Sequence, residues 1–75
     1  MVITFAKGKL IVTQHEVQCR ITSNAIVMQA AVEDLQCYRQ GNVLIADAGS
    51  TLWSIALDNA EQLEQVIAET GIEAQ

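Results

Sequence analysis

Residues 23 to 40 read SNAIVMQAAVEDLQCYRQ, and whether this stretch forms one helix or two strands determines the architecture of the whole chain. As a helix it would begin at Ser23 or Asn24, which can cap free backbone N–H groups, and it would end before Gly41. At about 100° per residue, its apolar side chains form one broad face. This pattern, together with many Ala, Gln, Met, Glu and Leu residues, favours a helix over residues 24–40.

The same stretch can also form two strands, over residues 25–31 and 35–39, with a turn at Glu33–Asp34. Residues 40–42, which read QGN, would then form another hairpin turn. In this alternative the chain is a β-meander closed by a C-terminal helix. That arrangement resembles small pleckstrin-homology-like folds in outline.

Before this stretch, three short segments have the character of strands. Residues 2–6 and 10–13 are rich in β-branched side chains, and Gly8 between them can supply the positive φ of a tight turn at residues 7–9. Residues 16–22 alternate between apolar and polar side chains, as in a strand with one buried face. We therefore expect a hairpin followed by a third antiparallel strand.

After this stretch, two further strands and a helix are expected. Residues 43–46 and 51–57 are strand candidates on either side of a turn at residues 47–50, and the odd-numbered side chains from Trp53 to Leu57 should face the core.

The C-terminal helix has clear signals at both ends. Asp58 can cap it, and Glu61 completes a pattern that resembles a capping box. An apolar stripe runs from Ala60 to Thr70, Gly71 can end the helix, and residues 73–75 are expected to be frayed.

Assembled, the segments predict one compact α+β domain over residues 1–75. The expected element order is β-β-β-α-β-β-α, a small antiparallel sheet of hairpins with a C-terminal amphipathic helix. The alternative is the β-meander closed by that helix.

The composition limits the class of protein. Of 75 residues, 51% are apolar and 17% charged, and the formal net charge is −5. The chain is too apolar for intrinsic disorder, and its four basic residues form no run that could bind nucleic acid. It shows no signal-peptide pattern and no apolar run long enough to cross a bilayer. We expect a cytoplasmic protein that binds neither nucleic acid nor membrane.

No residue pattern points to catalysis, a metal or a cofactor. His15 is the only histidine, and catalysis would need a nucleophile or an orienting carboxylate beside it. Its sequence neighbour is Glu16, but successive side chains in a strand or turn diverge. Cys19 and Cys37 lack the C-x-x-C spacing of a zinc or redox site and are expected to be buried thiols, with a bridge between them as the alternative. We therefore expect no catalytic residue and no metal or cofactor, and the protein is not expected to be an enzyme.

One short segment resembles a known nucleotide-binding element. Residues 43–52, VLIADAGSTL, resemble the first phosphate-binding hairpin of the actin, hexokinase and apyrase superfamily. The resemblance implies that Asp47, Gly49, Ser50 and Thr51 form a turn that binds a small anion or a nucleotide. A module that binds a small anion or a nucleotide at this turn is therefore the alternative to the leading functional expectation.

The acidic residues are concentrated at the C-terminal end. Five of the nine occur from Asp58 onwards, where no basic residue is found. A helix face carrying Asp58, Glu61, Glu64 and Glu69 would suit a basic protein partner.

The apolar content is high for so small a core, because a chain of this length buries only about 60% of its surface. A homodimer or a hydrophobic docking face would use the excess. We expect a homodimer, with helix 24–40 or a sheet edge at its interface. The candidate interface residues are Trp53, Met28, Leu35 and Tyr38. The leading functional expectation is a small acidic protein-interaction or regulatory module.

Overall fold

The computed structural model describes residues 1–22, 26–47, 49 and 51–75, and in that part of the chain it shows seven strands and one α-helix. Two antiparallel sheets, of order β1-β2-β3-β4 and β5-β6-β7, are followed by the helix. The α+β fold expected from the sequence is confirmed. The elements are β1 Val2–Phe5, β2 Gly8–Val12, β3 Glu16–Ile21, β4 Ile26–Ala31, β5 Leu35–Tyr38, β6 Val43–Asp47, β7 Leu52–Ala56 and α1 Ala60–Thr70.

The helix predicted over residues 24–40 is wrong, and the two-strand alternative is the observed one. β4 and β5 occupy this stretch, and a short 3-10 turn over Val32–Asp34 joins them. Burial follows a period of two through β5, where Leu35 and Cys37 are buried and their neighbours are not. β4 belongs to the four-stranded sheet and β5 to the three-stranded sheet, an arrangement that a single helix could not provide. The proposed helix caps, Ser23 and Asn24, lie outside the described residues.

The turn after β5 follows the two-strand alternative as well. Gly41 and Asn42 both have positive φ, 80° and 55°, and they connect β5 to β6. Gly41 therefore serves a hairpin turn and does not end a helix.

Gly8 is needed for space and not for a positive φ. It begins β2, opposite Ile21 of β3, and a Cβ at this position would collide with the carbonyl oxygen of Arg20. The positive φ expected at Gly8 is absent. The glycine lets the backbones of β2 and β3 approach closely at the end of the first hairpin.

The core lies between the two sheets and the helix. Leu10, Val17, Leu44 and Val66, from both sheets and from α1, are fully buried. The fold is stabilised by burial of apolar side chains from the two sheets and the helix. Ile55 and Leu57 are buried and Trp53 packs against the core, which confirms the predicted inward face of the seventh strand.

The helix begins one residue later than predicted. Asn59 is the N-cap, and its side chain accepts a hydrogen bond from the N–H of Gln62 at 2.9 Å. Gly71 ends the helix in a left-handed conformation, as expected, and its N–H donates to the carbonyl oxygen of Ile67.

The C-terminal residues are not frayed, contrary to the expectation. The N–H of Gln75 donates to the carbonyl oxygen of Cys37 at 2.8 Å, and the carbonyl oxygen of Gln75 accepts from the N–H of Arg39 at 3.2 Å. The tail therefore runs beside the end of β5 and covers the outer edge of that strand there.

Candidate interaction surfaces

β4 lies at the edge of the first sheet, and the backbone N–H and C=O groups on its outer side have no neighbouring strand among the described residues to pair with. In an antiparallel pair, each strand directs every second N–H and C=O away from its neighbour. The N–H of Val32 donates to the carbonyl oxygen of His15 at 2.8 Å, so even-numbered residues of β4 face β3. Val27, Gln29 and Ala31 therefore direct their backbone groups outward. In the part of the chain that the structure describes, no hydrogen bond reaches these groups.

The side chains of β4 do nothing to protect this edge. The strand reads IVMQAA and contains no charged residue and no proline. Ile26 and Val27 are 43% and 54% exposed. Natural edge strands are commonly blocked by lysine, proline or a bulge, because an unprotected edge pairs with another strand.

A second open edge lies on β7. The N–H of Leu57 donates to the carbonyl oxygen of Asn42, which turns the backbone groups of Leu52, Ser54 and Ala56 outward. Leu52 is 70% exposed. This edge is shorter than that of β4 and begins next to residue 50, which lies outside the described residues.

The outer edge of β1, by contrast, is partly covered by side chains of the helix region. The N–H of Ala6 donates to both carboxylate oxygens of Asp58, each at 3.0 Å. The side-chain amide of Gln62 donates to the carbonyl oxygen of Thr4 at 3.0 Å. The side-chain oxygen of Gln62 also accepts from the backbone N–H of Asp58 at 2.9 Å, which ties Gln62 to the chain just before the helix. Asp58 therefore joins the helix to the first hairpin.

The predicted acidic face is consequently not a uniform unpaired surface. Asp58 is used within the fold, and Glu64 forms an ion pair with Arg39 at the end of β5. Glu69 is half-buried and Glu61 is exposed. Within the described residues, the carboxylates of Glu61 and Glu69 have no hydrogen bond or ion pair. The binding of a basic partner here stays a prediction, and it depends mainly on Glu61.

Two of the four basic side chains lie next to each other on the first sheet. Lys9 and Arg20 are direct cross-strand partners on the exposed face of the first sheet. The Nε of Arg20 donates to the side-chain oxygen of Gln18, and neither cation has an acidic partner among the described residues. Like charges that face each other across a strand pair destabilise a sheet.

The turn that resembles a phosphate-binding hairpin is held by its own carboxylate. Gly49 has a φ of 83°, and its N–H donates to Asp47 Oδ1 at 3.2 Å. A bound anion would need backbone N–H groups of this kind, and here the carboxylate already accepts one of them. Ser50 lies outside the described residues, and Thr51 is exposed. Anion binding at this turn stays a prediction.

The four candidate interface residues do not form one surface. Leu35 is buried in the core, where it cannot contact a partner, because the register of β5 turns it inward. Met28 and Trp53 are partly buried against the core. Tyr38 is on the outer face of the second sheet, and its hydroxyl donates to the side chain of Gln36 at 2.8 Å.

Both cysteines are free and buried, so the bridged alternative is wrong. Burial raises the pKa of the Cys19 thiol. Burial also raises the pKa of the Cys37 thiol, although the positive charge of Arg39 partly offsets that rise. Thiols of this kind are protonated and inert at neutral pH. His15 is exposed in the turn between β2 and β3.

A family model described as "Protein of unknown function (DUF3389)" matches residues 1–74. The chain belongs to this family. No curated protein and no solved structure matches the chain. Within the described residues of this DUF3389 protein, no helix is long and apolar enough to span a membrane.

The sequence did not reveal the β4 edge as a candidate surface, because a helix over residues 24–40 has no edge. The available signal was the pair of β-branched residues Ile26 and Val27 in a stretch without charge. Which strand lies at an edge depends on the strand order, and a single sequence does not give that order.

Proposed function

We propose that this DUF3389 protein is a small protein-interaction module that acts as a homodimer, in which β4 of one copy pairs with β4 of a second. The observation that carries this proposal is the unpaired and uncharged outer edge of β4. Strand addition of this kind derives its affinity from main-chain hydrogen bonds and its specificity from side chains at alternate positions.

A second copy fits this edge better than a charged partner does. The protein carries a net charge of −5, so two copies repel each other over most contacts. β4 is a stretch of surface without charge, and a strand that pairs with itself in antiparallel fashion forms the self-complementary contact of a twofold dimer. Exposed Ile26 and Val27 would be covered.

The outward groups of β4 favour one register. If Gln29 lies opposite Gln29 of the second copy, then Val27 lies opposite Ala31 and all three outward residues of both strands are paired. A shift by two residues in either direction leaves outward groups of the described strand unpaired. In the proposed register Gln29 lies at the twofold axis. Its side chain is on the exposed face of the sheet.

We also propose that the protein is located in the cytoplasm. Cys19 and Cys37 are unbridged, and a small domain in an oxidising compartment would usually contain disulfides.

Sedimentation equilibrium at about 100 µM protein tests the dimer. The wild-type protein should have twice the 8.2 kDa mass of the chain. Gln29→Lys should be monomeric, because two lysines would face each other at the axis. Within one chain this lysine can replace the present hydrogen bond from Gln29 to Glu16 with an ion pair, so the fold should persist in circular dichroism. Gln40→Lys, in the exposed turn after β5, is the matched control and should remain dimeric.

A charge exchange tests the register. Gln29→Glu should also be monomeric, and an equimolar mixture with Gln29→Lys should restore the dimer mass, because opposite charges would then meet at the axis. A wild-type mass of 8.2 kDa would overturn the proposed dimer. A wild-type dimer that tolerates Gln29→Lys would exclude β4 pairing centred on Gln29.

A further inference from the structure

A groove of about 300 Å³ separates the outer edge of β1 from the first turns of α1. Residues 2–4 of β1 form one wall, and Asn59, Glu61, Gln62 and Gln65 form the other. β1 and β4 are at opposite ends of the first sheet, so this groove is separate from the proposed dimer interface.

The wall formed by β1 presents unpaired backbone groups. Met1 and Val12 exchange two hydrogen bonds, at 2.7 and 2.8 Å, so odd-numbered residues of β1 face β2. The N–H and C=O of Val2 and the N–H of Thr4 therefore point outward, beside the groove. Within residues 1–22, 26–47, 49 and 51–75, no hydrogen bond reaches them.

Part of this edge is already occupied by hydrogen-bonding side chains of the same chain. Gln62 and Asp58 bind the carbonyl oxygen of Thr4 and the N–H of Ala6, which are the next outward groups along β1. Their side chains occupy the positions that the backbone of a neighbouring strand would take. The edge remains free from Val2 to the N–H of Thr4.

The charge of the groove favours a positively charged ligand. Glu61 is the charged residue of the lining, and its carboxylate has no ion pair in the described part of the chain. No lysine or arginine occurs after Arg39, so the helical wall has no cation of its own. A positively charged side chain would be favoured beside Glu61.

We infer that the groove between β1 and α1 binds an extended basic segment of a partner protein. The segment adds a short strand to β1 through the backbone groups of Val2 and Thr4, and it places a lysine or arginine beside Glu61. This binding does not require the dimer, because the two surfaces lie on different edges of the sheet.

The probe for this inference is the acetylated and amidated pentapeptide Val-Lys-Val-Lys-Val, titrated into the ¹⁵N-labelled protein at low salt. The amide resonances of Val2 and Thr4 and the side-chain amide of Gln65 should shift. Glu61→Gln should weaken binding by about twofold to fivefold, the range of an exposed ion pair. Glu33→Gln, on the exposed 3-10 turn, is the matched control and should leave the affinity unchanged.

The matched peptide Val-Glu-Val-Glu-Val should bind more weakly than the lysine peptide. Equal affinity for the two peptides, or for Glu61→Gln and wild type, would overturn the inference. So would shifts confined to Val27, Gln29 and Ala31, which would place the peptide on the β4 edge. Because the measurement can be repeated on monomeric Gln29→Lys, its failure is distinguishable from failure of the dimer.

Discussion

Asp58 has a structural role, because its carboxylate forms hydrogen bonds within the chain. Both of its carboxylate oxygens accept the N–H of Ala6, which is 52 residues away in sequence. Asp58→Asn keeps the size of the side chain but removes its charge and one acceptor. We expect a loss of about 1 kcal/mol in the free energy of unfolding, measured by urea denaturation.

The control for Asp58 is Glu61→Gln, which removes one negative charge from the same helix region without breaking a hydrogen bond among the described residues. Its free energy of unfolding should change by less than about 0.5 kcal/mol. Equal losses in the two variants would show that the carboxylate of Asp58 does not join the helix to the first hairpin.

The two buried thiols predict how stability depends on pH. Burial raises the pKa of Cys19 and of Cys37, so the folded protein keeps thiol protons that the unfolded chain releases. The resulting contribution to stability is present at neutral pH and is lost as the pH rises above about 8.5, where free thiols ionise.

The double variant Cys19→Ala, Cys37→Ala removes two buried sulfur atoms and should be less stable than wild type at pH 7. Because only the wild-type protein has thiols that ionise on unfolding, this difference should shrink towards pH 9.5. Urea denaturation at both pH values measures it. A difference that does not change with pH would contradict protonated thiols in the folded core.

At the residue scale, the sequence located the helix start to within one position. Asp58 and Asn59 are both good N-cap residues. Each is followed three positions later by a residue that suits the third helical position of a capping box, Glu61 and Gln62 respectively. What separates them is the bond from Asp58 to Ala6, a contact between distant parts of the chain that local spacing cannot show.

At the scale of elements, residues 23–40 show how tertiary burial overrides helix propensity. Ala, Gln and Glu favour a helix, but Leu35 and Cys37 are both needed in the core of the second sheet, while Ala30 is needed in the first. The strands whose alternation or turn signals were strong, β1 to β3, β6 and β7, were located from local pattern. The turn predicted at residues 7–9 was wrong in position, because β2 already begins at Gly8.

One cross-strand pair between β2 and β3 is unfavourable, and a single substitution can change it. Lys9 faces Arg20 on the exposed side of the sheet. Lys9→Glu would replace this repulsion with an attraction between opposite charges, and it should raise the free energy of unfolding by about 0.2–1 kcal/mol.

Lys7→Glu is the matched control for this pair, since it changes the net charge equally but lies in the turn before β2. It should give no such gain in thermal or urea denaturation. If Lys9→Glu were no more stable than Lys7→Glu, the two cations would not interact across the strands.

At the scale of the whole molecule, composition predicted a small α+β domain with more apolar surface than its core needs. The fold places part of that surface at one edge, where Ile26 and Val27 flank unpaired backbone groups. The acidic groove beside β1 lies at the opposite edge of the same sheet. Strand order brings these features into position, and strand order is a property of the whole chain that short sequence windows do not contain.

Amide hydrogen exchange in β4 tests the dimer most directly. The N–H groups of Met28 and Ala30 face β3 and should be protected at every concentration. The N–H groups of Val27, Gln29 and Ala31 should be protected in the wild-type protein at about 100 µM, because they donate to the second copy, and they should lose that protection in Gln29→Lys. If these three amides exchanged as fast in concentrated wild-type protein as in Gln29→Lys, no second strand would cover β4 and the account would be contradicted.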